Sequence, residues 1–154
     1  MSILETRHLL WPNQAACAAS AATLAHQPSV DQAFIELLGP LGAGKTTFAR
    51  YLLQALGVTG RIKSPTYALM EPYELPGMNI WHFDFYRFND PQEWEDAGFR
   101  DVFASVGLKL VEWPEKAAGL LPVPDLVIAI EPGIEEQRLV QIGAHTALGR
   151  GLLG

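Results

Sequence analysis

The stretch GPLGAGKTT at residues 39–47 places three glycines, one lysine and two threonines within nine positions. Its spacing satisfies G-x-x-x-x-G-K-[ST] through Gly39, Gly44, Lys45 and Thr46, with Gly42 as a further glycine inside the loop. Backbone N–H groups of such a loop can turn inward and form a concave anion site, and the next helix adds the positive end of its dipole. In this pattern Lys45 reaches the β- and γ-phosphates of a nucleoside triphosphate, and the Thr46 hydroxyl is a ligand for Mg²⁺. Leu41, Ala43 and Thr47 complete the expected cradle. An ordinary glycine turn is the alternative. The flanks favour the phosphate loop, because AFIELL at 33–38 reads as a buried strand. TTFARYLLQAL at 46–56 has helical apolar spacing and is closed by Gly57.

A phosphate loop that works with a metal needs carboxylates at the ends of neighbouring strands. Two stretches supply them: NIWHFD ends in Asp84, and LKLVE ends in Glu112. One acid can hold the metal through water while the other orients an attacking water, and the sequence leaves open which does which. Thr66, in Ser64-Pro-Thr66, is either a γ-phosphate sensor or part of a turn leading into a strand. His82 alternates onto the same strand face as Asp84 and reads as a structural histidine, outside the site. Trp113, between Glu112 and Pro114, is placed at the mouth of the site. Lys45 is the local cation; Arg87 is the next candidate, unless it pairs with an acid such as Asp90.

The elements that must position these groups alternate along the chain. Asn13 can cap a helix over about 14–26, and strands are expected at 33–38, 67–72, 79–86, 108–112 and 125–131, with a weaker one at 138–142. A short helix opens at Asp90-Pro91. The tail from Gly149 is expected to fray. The pattern predicts one α/β domain: a three-layer sandwich resembling phosphate-loop NTPases, with a mixed, mostly parallel sheet and an antiparallel hairpin. At 154 residues, 49% apolar and 18% charged, the chain can bury such a core. The net charge of −6 argues against unaided nucleic-acid binding, which needs a basic face. Cys17, the sole cysteine, excludes an internal disulfide and a cysteine metal cluster. The alanine-rich run around it is too short for a membrane span and lacks the basic flank of a signal peptide, so a cytoplasmic location is expected.

Five stretches together resemble one family: GPLGAGKTTF from 39, KSPTY from 63, EPY from 71, HFDFYR from 82 and VEWP from 111. Their order and spacing resemble bacterial TsaE, the small ATPase of tRNA threonylcarbamoyladenosine biosynthesis, over about residues 10–131. The resemblance implies ATP hydrolysis in support of the TsaB–TsaD pair, with TsaD transferring the threonylcarbamoyl group. It also implies Lys45, Thr46 and Thr47 around the phosphates, Thr66 as a switch, Asp84 and Glu112 at the metal and water, and Trp113 beside them. Pro40 departs from the acidic residue common at that position and removes one N–H from the loop; Phe85 stands where leucine is common.

Two other functions compete. A small-molecule kinase would need an acceptor pocket and commonly an arginine-rich lid, whereas the arginines here are scattered. A nucleotide sensor without hydrolysis would not need both acids. The absence of N-K-x-D favours adenine over guanine, so ATP and Mg²⁺ are the expected cofactors.

Overall fold

A computed structural model describes residues 2–154. In chain order its elements are β1 (Glu5–Trp11), α1 (Gln14–Ala25), β2 (Phe34–Leu38), α2 (Lys45–Leu56), β3 (Met70–Leu75) and β4 (Met78–Asp84). Then follow α3 (Pro91–Asp96), α4 (Phe99–Ala104), β5 (Leu108–Glu112), β6 (Leu126–Pro132), β7 (Arg138–Ala144) and α5 (Ala147–Leu152). One seven-stranded sheet runs in the order β1-β7-β6-β2-β5-β4-β3. The central strands β6, β2, β5 and β4 are parallel, and the pairings β1–β7, β6–β7 and β3–β4 are antiparallel. The fold is therefore the expected mixed α/β sheet, with antiparallel strands on both edges rather than in one hairpin.

Alternation along the strands sorts the core onto two faces. Ile35 and Leu37 of β2, Ile80 of β4, and Leu108 and Leu110 of β5 pack with Phe48, Leu52 and Leu53 of α2 and with Ala21 and Leu24 of α1. Phe34, Phe83 and Val111 point the other way, into a cluster with Phe85, Phe88, Trp94 and Phe99. Asn13 caps α1 by accepting from the Ala16 N–H (3.0 Å), and Asp90 caps α3 by accepting from Gln92 (3.0 Å). Pro72 sits on the edge strand β3, where a missing N–H is tolerated.

Four expectations need correction. The strand expected from residue 67 begins at Met70, because Leu69 has φ 68° and donates its N–H to the Pro65 carbonyl (2.7 Å). The strand expected to reach residue 86 ends at Asp84, and Phe88 closes a turn onto the Phe85 carbonyl (2.9 Å). β1 and α4 had no clear periodic signal and were not anticipated. The tail is not frayed. Thr146 caps α5 by accepting from Gly149 (3.0 Å) and donates to Asp125 Oδ1 (2.6 Å), while Leu152 is buried. Gly149 lies so close to Asp125 that an added Cβ would collide with the Asp125 carbonyl oxygen. No helix among the described residues is long and apolar enough to cross a membrane.

Candidate functional site

The loop after β2 crosses the carboxyl end of the sheet between β6 and β5, the position where open α/β sheets bind ligands. Gly39 has φ 149° and lies against β6, where any side chain would strike the Ile130 carbonyl oxygen. Gly44, at φ 111°, is the residue from which α2 departs. The first helical bond of α2 runs from the Phe48 N–H to the Gly44 carbonyl (2.9 Å). The N–H groups of Lys45, Thr46 and Thr47 are thus left for a partner outside the helix. The Lys45 ammonium donates to the Gly39 carbonyl and lies 3.5 Å from the centre of the Trp113 ring. Burial pushes its pKa below the ordinary lysine range, against the opposing pull of Glu112, Glu115 and Asp84.

Asp84 and Glu112 face each other in register at the ends of the adjacent strands β4 and β5. Both are buried. Glu112 Oε1 accepts from the Thr46 hydroxyl (2.7 Å), and Oε2 lies 2.7 Å from His82 Nε2. Asp84 Oδ2 accepts from the Ser64 hydroxyl and from Thr66 Oγ1 (3.2 Å), and Oδ1 accepts from the Tyr86 N–H (2.9 Å). Trp113 adopts a left-handed backbone (φ 57°) immediately before Pro114, and its ring leans on Tyr86 with centroids 5.0 Å apart. All of these side chains except the fully buried His82 line one cleft of about 310 Å³.

The cleft gathers Leu41, Gly42, Ala43, Gly44, Lys45, Thr46, Thr47, Thr66, Asp84, Glu112 and Trp113, all singled out from the sequence. Gly39 is the exception: it supports the loop from below. Ser64, Tyr86 and Arg138 also line the cleft and were not anticipated. Arg138 comes from β7 and donates Nε–H to the Ala43 carbonyl (2.8 Å). Arg87 is not the further cation at the cleft; it lies over the Tyr67 ring, 4.7 Å from its centre. No ion pair joins Arg87 to Asp90 among the described residues. His82, read as structural, touches Glu112 directly; its alternation with Asp84 was the signal that could have placed it there.

The donor set suits a hard cation. It offers one hydroxyl and two carboxylates, and among the described residues no cluster of three or more His, Cys, Asp or Glu forms a closed metal cage. Mg²⁺ characteristically takes one or two protein oxygens, keeps waters and completes its shell with phosphate oxygens. The residues present therefore fit a nucleotide–magnesium pair.

Sheet order and loop define a chain of the phosphate-loop α/β class. Its fold matches the crystal structure of Bacillus subtilis YdiB with a TM-score of 0.82, covering 99% of this chain and 95% of that one at 24% identity. A family profile described as "Threonylcarbamoyl adenosine biosynthesis protein TsaE" matches residues 11–140. The tRNA threonylcarbamoyladenosine biosynthesis protein TsaE of Haemophilus influenzae is 44% identical over 119 residues, 77% of this chain and 75% of that protein. The B. subtilis protein of the same name is 36% identical over 115 residues, 75% and 70% of the two chains. The chain belongs to the TsaE family.

Proposed function

We propose that this chain binds ATP with Mg²⁺ and hydrolyses it in the cytoplasm, as an accessory subunit of tRNA threonylcarbamoyladenosine modification acting with TsaB and TsaD. The observation that carries the reading is the Thr46 hydroxyl bonded to Glu112 (2.7 Å) beside Asp84, beneath the loop that holds Lys45. Loop N–H groups and Lys45 bind and orient the phosphates. For this, Lys45 leaves the Gly39 carbonyl and turns to the anion. Glu112, already tied to Thr46, takes the metal side. Asp84, tied to Ser64 and Thr66, takes the water side and couples the 64–66 segment to nucleotide state. Trp113 covers Lys45 and limits water around it. Bound Mg²⁺ would neutralise charge on the β- and γ-oxygens.

Phosphoryl transfer needs more fixed positive charge than one lysine, and two of the Arg138 donors are spent on backbone carbonyls. The chain alone is therefore slow, at roughly 10⁻³ per second, and the TsaB–TsaD pair accelerates it. With a net charge of −6 the chain gains nothing from tRNA added without those partners. Phosphate release measured for the chain alone, with tRNA and with the partner pair tests this. Turnover of several per second alone, unchanged by partners, rejects it. Release without any added acceptor also rules out the kinase reading.

A further inference from the structure

His82 stands in the middle of β4, under α2, with its side chain wholly buried and Nε2 at 2.7 Å from Glu112 Oε2. A carboxylate oxygen accepts hydrogen bonds, so in this contact the imidazole is the donor and Nε2 carries a proton. Nδ1 is buried without a protein partner among the described residues, so Glu112 is the one side-chain contact that orients the ring through hydrogen bonding. The second oxygen of Glu112 accepts the Thr46 hydroxyl proton. A threonine has only one such proton, so what Thr46 presents to the cleft is its oxygen lone pairs. Each donor direction is thus fixed by the one below it, from the imidazole on a central strand to the hydroxyl at the head of α2.

We propose that His82 is a positioning residue for the magnesium site: by holding Oε2 of Glu112 it presents Oε1 to Thr46, which aims the Thr46 lone pairs at the metal. The inference rests on the nucleotide–magnesium reading of the cleft. A histidine that merely filled the core would contribute to stability alone. One that fixes the carboxylate sets how much magnesium strengthens nucleotide binding, because partners behind a metal ligand typically govern about 10- to 100-fold in metal affinity.

The test compares the affinity of a non-hydrolysable ATP analogue with and without Mg²⁺ in the wild-type chain and in His82→Leu, His82→Gln and His82→Asn. The leucine variant should lose about 10- to 100-fold of the magnesium enhancement. Its magnesium-free affinity, set by the loop and Lys45, should stay close to wild type. Glutamine, whose amide nitrogen reaches the Nε2 position, should restore most of the loss, whereas asparagine, whose amide matches Nδ1, should not. A folded leucine variant with full enhancement overturns the proposal. If the leucine chain does not fold, equal enhancement in the glutamine and asparagine variants overturns it. Nitrogen NMR of the nucleotide-free protein gives an independent reading: a proton on Nε2 supports the proposal, and an Nε2 without one overturns it. A wild-type chain that does not bind the analogue rejects the ATP reading itself, an outcome distinct from binding that ignores residue 82.

Discussion

Glu112 and Asp84 sit side by side on adjacent strands, yet they are held in different ways. Glu112 is gripped by the frame of the molecule: Thr46 at the start of α2 on one oxygen and His82 from the middle of β4 on the other. Asp84 is gripped largely by Ser64 and Thr66, from the connection between α2 and β3. Regular elements packed on both sides open only with much of the fold, whereas a loop latch can open alone. The difference teaches that two carboxylates of similar burial can serve as a fixed point and a movable one. In the proposed reaction the fixed acid belongs with the metal, and the movable acid belongs with the step that reports nucleotide state.

The sharpest way to break this contrast is to neutralise each acid in turn. Glu112→Gln and Asp84→Asn should each lower partner-stimulated turnover by about a hundredfold. Only the former should also abolish the magnesium enhancement of analogue binding. Equal loss of that enhancement in both variants would erase the division between the two acids. Lys45→Ala serves both sides at once. It should weaken ATP binding at least tenfold, about 1.4 kcal/mol, in titration calorimetry; unchanged affinity would mean that the loop is not the site.

Smaller effects sharpen the contrast. Thr66→Val removes one of the bonds to Asp84 and should cost the latch about 1 kcal/mol, roughly a fivefold loss of hydrogen-exchange protection confined to residues 62–69. Protection lost equally around Thr46 and Glu112 would show that the segment is not independent. The smallest effect lies on the opposite face of the sheet. Burial, helped by Glu115, pushes the Glu36 carboxyl from 4.5 up to about 7. The folded chain therefore holds this proton over a range where the unfolded chain releases it, and stability falls as pH rises from about 4.5 through about 7. Glu36→Gln should remove on the order of 1 kcal/mol of that fall, discounted for residual solvent, in denaturant melts at pH 4 and pH 8. A pH dependence unchanged in the variant would trace the fall to other groups, those of the cleft included.

What was legible in the sequence was whatever is written within about a dozen residues. The loop at 39–47 carries its own backbone requirements, and Asp84 and Glu112 each end an apolar run, so strand, loop and acid could be read together. What was not legible depends on closeness across the sheet. Arg138 reaches the loop only because β7 folds back beside β6, and no local pattern announces that pairing. His82 looked like a core residue because its partner lies on another strand. The tail looked frayed because a Gly-rich stretch has weak helical propensity. The Thr146 cap and the close approach of Gly149 to Asp125 outweigh that propensity.

The pairing of β1 with β7 has a consequence in time. β1 has one neighbour in the sheet, and the strand pairing nearest in sequence joins Trp11 to Arg138. During synthesis at about 5–20 residues per second, β1 therefore waits on the order of ten seconds for β7, its sheet partner. Leu9 and Leu10, still partly exposed in the finished fold, are the apolar surface that a growing chain leaves open the longest. β2, α2, β4 and β5, which carry the loop, Asp84 and Glu112, are all made before β7 leaves the ribosome. The two acids can thus meet beside the loop while the edge of the sheet is still waiting, and only Arg138, at the start of β7, reaches the cleft late.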